Sequence, residues 1–184
     1  MASVSPRLIA TTALALACLF QPSDLSAEIL KSHYRKPAPG FTLTDSKQMP
    51  ITLSDLKGKV VLLDFWATWS AGCKIEMPWF VEFDSKYRRN GLAALGVSMD
   101  DEGWAIVAPY LNAHSVSYPI VLGDPDVADR YGVAGLPVTL LIDRNGKVAA
   151  KHYGVVDRAG LENEIRKLLK EHQKAPKRSA PLTP

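Results

Sequence analysis

The chain has 184 residues, of which 47% are apolar and 22% are charged, and its formal net charge is +3. This length and balance are typical of one globular domain with terminal segments. Because the net charge is small and spread evenly along the sequence, the composition argues against a nucleic-acid-binding protein. The one strong basic run lies in the C-terminal tail, around Lys174, Lys177 and Arg178.

The N-terminus has the pattern of an export signal. Arg7 precedes the uncharged apolar run 8–20, and small residues at 25–27 offer a cleavage site before Glu28. The run is shorter than the roughly 20 apolar residues of a membrane span. Two alternatives stay open: a lipoprotein signal in which Cys18 carries the lipid, and an uncleaved hydrophobic anchor. We therefore predict an exported, periplasmic or extracytoplasmic protein whose contact with the membrane is through the signal peptide or Cys18.

The cysteine count restricts the chemistry. The two cysteines are Cys18 and Cys73. Cleavage would remove Cys18, and lipidation would turn its sulfur into a thioether. In both cases the mature domain keeps one thiol, which cannot close an intramolecular disulfide.

Strand and helix patterns alternate along residues 40–172, between a predicted linker at 28–39 and a tail at 173–184 that is predicted to be disordered. The order predicts an α/β fold with a mixed central sheet flanked by helices. In chain order we expect a hairpin over 41–53, a buried strand over 60–66, a helix over 71–89 kinked at Pro78, a strand over 92–99, a helix over 103–114, a strand over 118–122, a helix over 126–131, a hairpin of strands over 138–142 and 147–153, and a last helix with Leu161, Ile165, Leu168 and Leu169 on its apolar stripe.

The segment Trp69-Ser70-Ala71-Gly72-Cys73 lies where the strand over 60–66 ends and a helix begins. The pattern W-C-x-x-C at this place is the dithiol motif of thioredoxin-like proteins. Here Ser70 replaces the first cysteine. A serine hydroxyl is a weak nucleophile without an activating base, whereas serine is among the preferred N-cap residues. We therefore expect Ser70 to cap the helix, and a nucleophilic serine is the alternative.

These motifs resemble the TlpA/ResA-like family of exported thioredoxins, which have a redoxin-type domain. The resemblance extends over about residues 36–169. It implies a thioredoxin fold with an N-terminal hairpin and a central helix–strand insertion, and thiol–disulfide oxidoreductase activity outside the cytoplasm. The segments that carry it are 39–43, 53–59, 64–69, 76–78 and 131–137, with the insertion at about 103–122.

The resemblance also assigns catalytic roles. Ser70 stands in the position of the attacking cysteine, and Cys73 stands in that of the resolving cysteine. Asp64 corresponds to a buried proton acceptor for Cys73. Glu76 corresponds to an acidic residue that tunes the thiols. The residues alone leave alternatives. In the alternative for Cys73, the residue is a small buried apolar side chain without a redox role. In the alternative for Asp64, the carboxylate forms a local hydrogen bond at a strand end. Glu76 is a solvated residue of the first helical turn, which is the interpretation we favour for it.

A substrate groove is implied in the same way. Pro137 is expected to be cis, so that the backbone of Leu136 can pair with an extended substrate. The alternative is a proline that simply begins a strand. Trp66 is expected in the core and Trp69 at the rim of the site, where it shields the site from water. The implied partners are cysteine-containing proteins, such as those of cytochrome assembly, or extended peptides.

No phosphate loop, metal-ligand cluster or pair of catalytic carboxylates is found in the sequence, so we predict no metal and no cofactor. The acidic run Asp100-Asp101-Glu102 precedes the helix over 103–114 and is expected to cap it.

Three functions remain open from the sequence. The first is a TlpA/ResA-type oxidoreductase whose dithiol exchange is lost or reduced, and the second is a redox-silent module that binds extended peptides. The third is a single-cysteine, peroxidase-like redoxin, because Ser70-x-x-Cys73 is similar to the T-x-x-C motif of peroxiredoxins. Trp66 stands where that motif has a proline.

Overall fold

The computed structural model describes residues 29–171. The predicted signal segment, the alternatives for Cys18 and the predicted tail lie outside the described residues. Short 3-10 helices at Ser32–Tyr34, Leu53–Leu56 and Arg88–Asn90 join the main elements. These are β1 (Thr42–Thr44), β2 (Pro50–Thr52), β3 (Val60–Trp66), α1 (Ala71–Tyr87), β4 (Leu92–Ser98), α2 (Trp104–Ala113), β5 (Ile120–Leu122), α3 (Pro125–Arg130), β6 (Val138–Ile142), β7 (Val148–Tyr153) and α4 (Arg158–Glu171).

The five-stranded sheet has the order β5-β4-β3-β6-β7, and β1 and β2 form a separate antiparallel hairpin. Strand β3 is parallel to β4 and antiparallel to β6. Strands β4 and β5 are parallel, and β6 and β7 are antiparallel. The sheet is therefore mixed, and the predicted α/β fold is confirmed.

Each face of the sheet has its own core. All residues of β3 are buried, as expected for a central strand whose sequence is apolar except at Asp64. On one face, Leu62 and Trp66 pack with side chains from α1, α2 and α4. On the other face, Leu63 and Phe65 pack with Phe41 before the hairpin and with residues of α3 and the turn that follows it.

Local sequence signals account for several helix ends. Helix α1 contains Pro78. The 3-10 turn that follows the helix ends at Gly91, whose φ of 98° is in the left-handed region that favours glycine. The Asp124 side chain caps α3 by accepting a hydrogen bond from the Val127 N–H at 2.7 Å. Helix α2 begins after Gly103 with no side-chain cap, so the expectation that the acidic run at 100–102 caps it is wrong.

Among residues 29–171, no helix combines the length and the apolar character needed to cross a membrane.

Candidate active site

Ser70 and Cys73 form the centre of the site, at the N-terminus of α1. The Ser70 Oγ accepts a hydrogen bond from the Cys73 N–H at 3.4 Å, so Ser70 is the N-cap that the sequence predicts. The Cys73 Sγ–H also donates to the Ser70 Oγ, at 2.9 Å. Both residues are buried, with 7% of Ser70 and 2% of Cys73 exposed.

Burial governs the chemistry of the Cys73 thiol. It raises the pKa of Cys73 to about 11, and the nearby negative charges of Asp64 and Glu76 act in the same direction. Hydrogen bonding with the Ser70 side chain and with the Ala67 backbone opposes this rise without cancelling it. A helix N-terminus favours a thiolate, but here the thiol lies in the packed core, where desolvation dominates.

Asp64 lies beneath the site on the central strand. It is 2% exposed and forms no side-chain hydrogen bond among residues 29–171; its buried Oδ1 has no partner there. Burial and then the charge of Glu76 hold the pKa of Asp64 well above its usual range. The alternative expectation, a local hydrogen bond at a strand end, is wrong, because Asp64 pairs with Thr139 and Gly96 inside the sheet.

Glu76 is fully buried, so the favoured expectation of a solvated glutamate is wrong. Cys73, Met77 and Phe80 lie at helical spacing around Glu76, and this face of α1 packs against the sheet. The Glu76 Oε1 accepts a hydrogen bond from the Val156 N–H at 2.7 Å, while the buried Oε2 has no partner in the described part of the chain. Burial raises the pKa of Glu76 to about 7, against the lowering effects of the Val156 hydrogen bond and of His152.

His152 is a neighbour of these carboxylates that the sequence did not indicate. Strand pairing places Asp64, Thr139 and His152 side by side on β3, β6 and β7. The His152 Nε2 lies 2.9 Å from the Glu164 Oε2 of α4. A row of polar groups therefore crosses one face of the sheet, and only the strand register brings them together.

The start of α1 touches the loop that precedes β6. The peptide bond between Leu136 and Pro137 is cis, as the resemblance implies. A Cβ atom at Gly72 would lie 2.9 Å from the Pro137 Cδ and 3.0 Å from a Val155 methyl group. Only glycine allows this approach without displacing the loop. Leu136 is half-buried, and its backbone forms no hydrogen bond with any described residue.

Apolar side chains surround the entrance to the site. Trp69 is 66% exposed and Trp66 is fully buried, which confirms the expected rim and core positions. Tyr153 and Val155 are also exposed, and the intervening Gly154 N–H donates to the Pro137 carbonyl at 2.9 Å. The sequence did not single out the Tyr153–Val155 part of this rim.

Asp100 holds the loop between β3 and α1. Its carboxylate accepts hydrogen bonds from the Thr68 N–H, from the Thr68 hydroxyl at 2.7 Å and from the Ser98 hydroxyl at 2.8 Å. Asp100 therefore fixes the segment that leads into Trp69 and Ser70, instead of capping α2. Within residues 29–171, no group of three or more His, Cys, Asp or Glu side chains could hold a metal ion.

This geometry, a helix N-terminus after a central strand and beside a cis-proline loop, defines a redoxin domain of the thioredoxin fold. Residues 34–151 match the AhpC/TSA family. The chain is 34% identical over 139 residues to the thiol-disulfide oxidoreductase ResA of Bacillus thuringiensis (strain Al Hakam), covering 75% of this chain and 80% of that one. It is 39% identical over 112 residues to ResA of Bacillus subtilis (strain 168), covering 60% of this chain and 62% of that one.

A solved structure agrees with these relatives. The crystal structure described as a thiol:disulfide interchange protein DsbE from Chlorobium tepidum superimposes with a TM-score of 0.69 at 34% identity, covering 73% of this chain and 96% of that one. This chain therefore belongs to the AhpC/TSA family, and within it to the thiol-disulfide oxidoreductases of the ResA and DsbE type.

Proposed function

We propose that this chain acts outside the cytoplasm as a ResA-type protein that has lost dithiol exchange and binds extended, cysteine-containing polypeptides. Export is supported by Arg7 and the apolar run 8–20 that follows it. With cleavage before Glu28, or with a lipid on Cys18, Cys73 is the single thiol of the mature protein.

The observation that carries the proposal is the hydrogen bond from the Cys73 thiol to the Ser70 hydroxyl. In a dithiol site the first sulfur attacks and the second resolves the mixed disulfide. Here the attacking position holds a hydroxyl, and no histidine among the described residues forms a hydrogen bond with it; His152 pairs with Glu164. With its pKa at about 11, Cys73 is a thiolate in about one molecule in ten thousand at neutral pH. Neither side chain can begin an exchange reaction.

The loop that contains the cis proline supports the binding half of the proposal. The backbone of Leu136 has no hydrogen-bond partner among the described residues, and Trp69 and Val155 border it with exposed apolar surface. An extended peptide could pair with Leu136 as an added strand and place its side chains against this rim. A cysteine of that peptide would then lie over Ser70, without forming a disulfide.

The peroxidase-like alternative fits the site poorly. Peroxide reduction needs an accessible thiolate, whereas Cys73 is buried and keeps its proton. Membership of the AhpC/TSA family therefore supports the fold of this chain more than peroxidase chemistry.

Insulin reduction with dithiothreitol tests the loss of exchange. We expect no acceleration by the parent chain or by Ser70→Ala, and clear acceleration by Ser70→Cys. A sulfur in place of the Ser70 Oγ, which is 2.9 Å from the Cys73 Sγ, would be within reach of a disulfide bond. Multiple-turnover reduction by the parent chain would overturn the proposal.

Calorimetric titration with an extended cysteine-containing peptide tests the binding half. Trp69→Ala should weaken binding, because it removes an exposed aromatic side chain at the rim. Tyr34→Ala is the matched control, since Tyr34 is equally exposed but lies outside the site. Equal effects of the two changes, or no binding by the parent, would contradict this part of the proposal.

A further inference from the structure

The loops at one end of the main sheet carry an excess of positive charge. Because β3, β4 and β5 are parallel and β6 is antiparallel to β3, the residues before β3 and β4 lie at the same end as the turn after β6. This is the end opposite Ser70. We call it the cationic end, and it consists of Lys57, Lys59, Arg89, Arg144 and Lys147.

Direct contacts join these loops into one surface. The Arg144 guanidinium donates to the Gly58 carbonyl at 2.7 Å and to the Asn90 carbonyl at 3.0 Å. Gly58 lies between Lys57 and Lys59, and Asn90 follows Arg89. Arg144 therefore holds the three charged loops side by side.

Few negative charges offset this surface. Two exposed carboxylates lie at this end: Asp55, beside Lys57, and Glu171, which pairs with Arg35. Asp84 and Asp143 are buried, and each pairs with an arginine, Arg88 and Arg35 respectively. Lys57, Lys59 and Arg89 are exposed and make no side-chain hydrogen bond among residues 29–171, so their charges face solvent.

The opposite end of the sheet is acidic. Asp101 and Glu102 follow β4, and Asp124 and Asp126 follow β5. All four are exposed, and Asp126 is paired with Arg130. The molecule thus has a charge asymmetry along its strands, with the Ser70 site at the acidic end. A negatively charged surface would attract one end and repel the other.

Both ends of the described chain reach the cationic end. Buried Arg35 donates to the Leu30 carbonyl and forms ion pairs with Asp143 at 3.0 Å and Glu171 at 2.8 Å. Asp143 begins the turn that contains Arg144. The apolar run 8–20 precedes this point in the sequence, and Lys174, Lys177 and Arg178 follow it.

We propose that the cationic end lies against an anionic phospholipid bilayer and directs the Ser70 site away from the membrane. Lysine and arginine near an anionic lipid surface each add a favourable, salt-screened attraction. Attachment of the chain through its N-terminal segment would hold this end close to the bilayer. The three loops contain no aromatic side chain on which bases could stack, so a nucleic acid is the poorer partner.

Vesicle partitioning of the full-length chain tests the proposal. The measured quantity is the ratio of partition coefficients between phosphatidylcholine vesicles with and without phosphatidylglycerol, because an insertion of the N-terminal segment is common to both vesicles. The triple variant Lys57→Gln, Lys59→Gln, Arg89→Gln should lower this ratio at least about tenfold at low salt. The charge-conserving variant Lys57→Arg, Lys59→Arg, Arg89→Lys is the matched control and should keep the parent ratio.

If the glutamine variant kept the parent ratio, any preference for anionic vesicles would come from the terminal segments and not from the cationic end. The proposal would then be wrong. It would also be wrong if the charge-conserving variant lost the preference. Soluble polyglutamate provides a third outcome. If it bound the parent chain through the same three cations while anionic vesicles did not, the surface would serve an acidic protein and not a membrane.

Discussion

The Cys73 thiol donates a hydrogen bond to the Ser70 hydroxyl across 2.9 Å, inside the core. The side chain in the attacking position therefore accepts a hydrogen bond from the sulfur in the resolving position, which keeps its proton. The same hydroxyl accepts the Cys73 N–H and caps α1. One oxygen atom thus stabilises the helix and satisfies the thiol.

The reactivity of Cys73 follows from this burial. We expect iodoacetamide to label folded Cys73 very slowly at neutral pH, with a rate that rises toward a midpoint near pH 11, because burial raises the thiol pKa to about 11. Peptide-level mass spectrometry separates this label from any on Cys18. Chain unfolded in urea is the control and should react with a midpoint near the ordinary value of about 8.5. A folded-state midpoint at or below that value would contradict the expectation.

Glu76 should make stability depend on pH. Since the folded pKa of about 7 exceeds the reference value of 4.5, the folded chain holds the proton more tightly than the unfolded chain. This stabilisation is complete below about pH 4.5 and is lost as the pH rises through about 7. Glu76→Gln keeps an acceptor for the Val156 N–H without the charge. It should therefore exceed the parent in unfolding free energy by about 2–3 kcal/mol at about pH 8 and match it near pH 4.

Urea denaturation at both pH values measures the effect of Glu76→Gln. The exposed Glu102 provides the control, because Glu102→Gln should change stability by less than about 0.5 kcal/mol at either pH. A difference between Glu76→Gln and the parent that did not vary with pH would refute the role given to Glu76. Removal of the Glu76 charge should also lower the pKa of Asp64, which that charge raises.

Gly72 should tolerate no side chain. An added Cβ would lie 2.9 Å from the rigid Pro137 ring, so Gly72→Ala must push the loop away from α1. We expect a loss of about 1–2 kcal/mol in unfolding free energy and weaker peptide binding, measured by denaturation and calorimetry. Gly40→Ala is the control, since nothing lies within 4 Å of its Cβ position. Equal stability of the two variants would be inconsistent with a tight contact.

Arg35 should contribute more to stability than exposed arginines do. Arg35→Met would leave buried Asp143 without its ion-pair partner and would release Glu171, at a cost of about 2–4 kcal/mol. Arg158→Met removes an exposed pair with Glu82 and should cost less than about 1 kcal/mol. Thermal and urea unfolding of both variants would decide this, and comparable losses would argue against a special role for Arg35.

Local signals in the sequence were sufficient for the fold. The nearly continuous apolar run of β3 and the apolar stripe on α4 each depend on residues that are close together in the chain. The predicted elements therefore agree with the structure to within a few residues. The Ser70 cap could be predicted for the same reason.

The environment of the site could not be predicted so directly. Glu76 lies on the same helical face as the apolar residues Cys73, Met77 and Phe80, and this spacing indicates burial. The usual preference of glutamate for solvent indicates the opposite, and the prediction followed that preference. The proximity of His152 to Asp64 depends on the register of three strands. The cationic end likewise arises from strand direction, which gathers charges that are evenly spread along the sequence.

The hydrogen bonds of Asp100 have a further consequence for ligand binding. They hold the Thr68 backbone and hydroxyl before any partner arrives, so the turn that presents Trp69 is already ordered in the free protein. A partner that binds there need not immobilise this turn, and the conformational entropy lost on association is correspondingly smaller. A surface preorganised in this way can bind a chain tightly without ever forming a covalent bond to it.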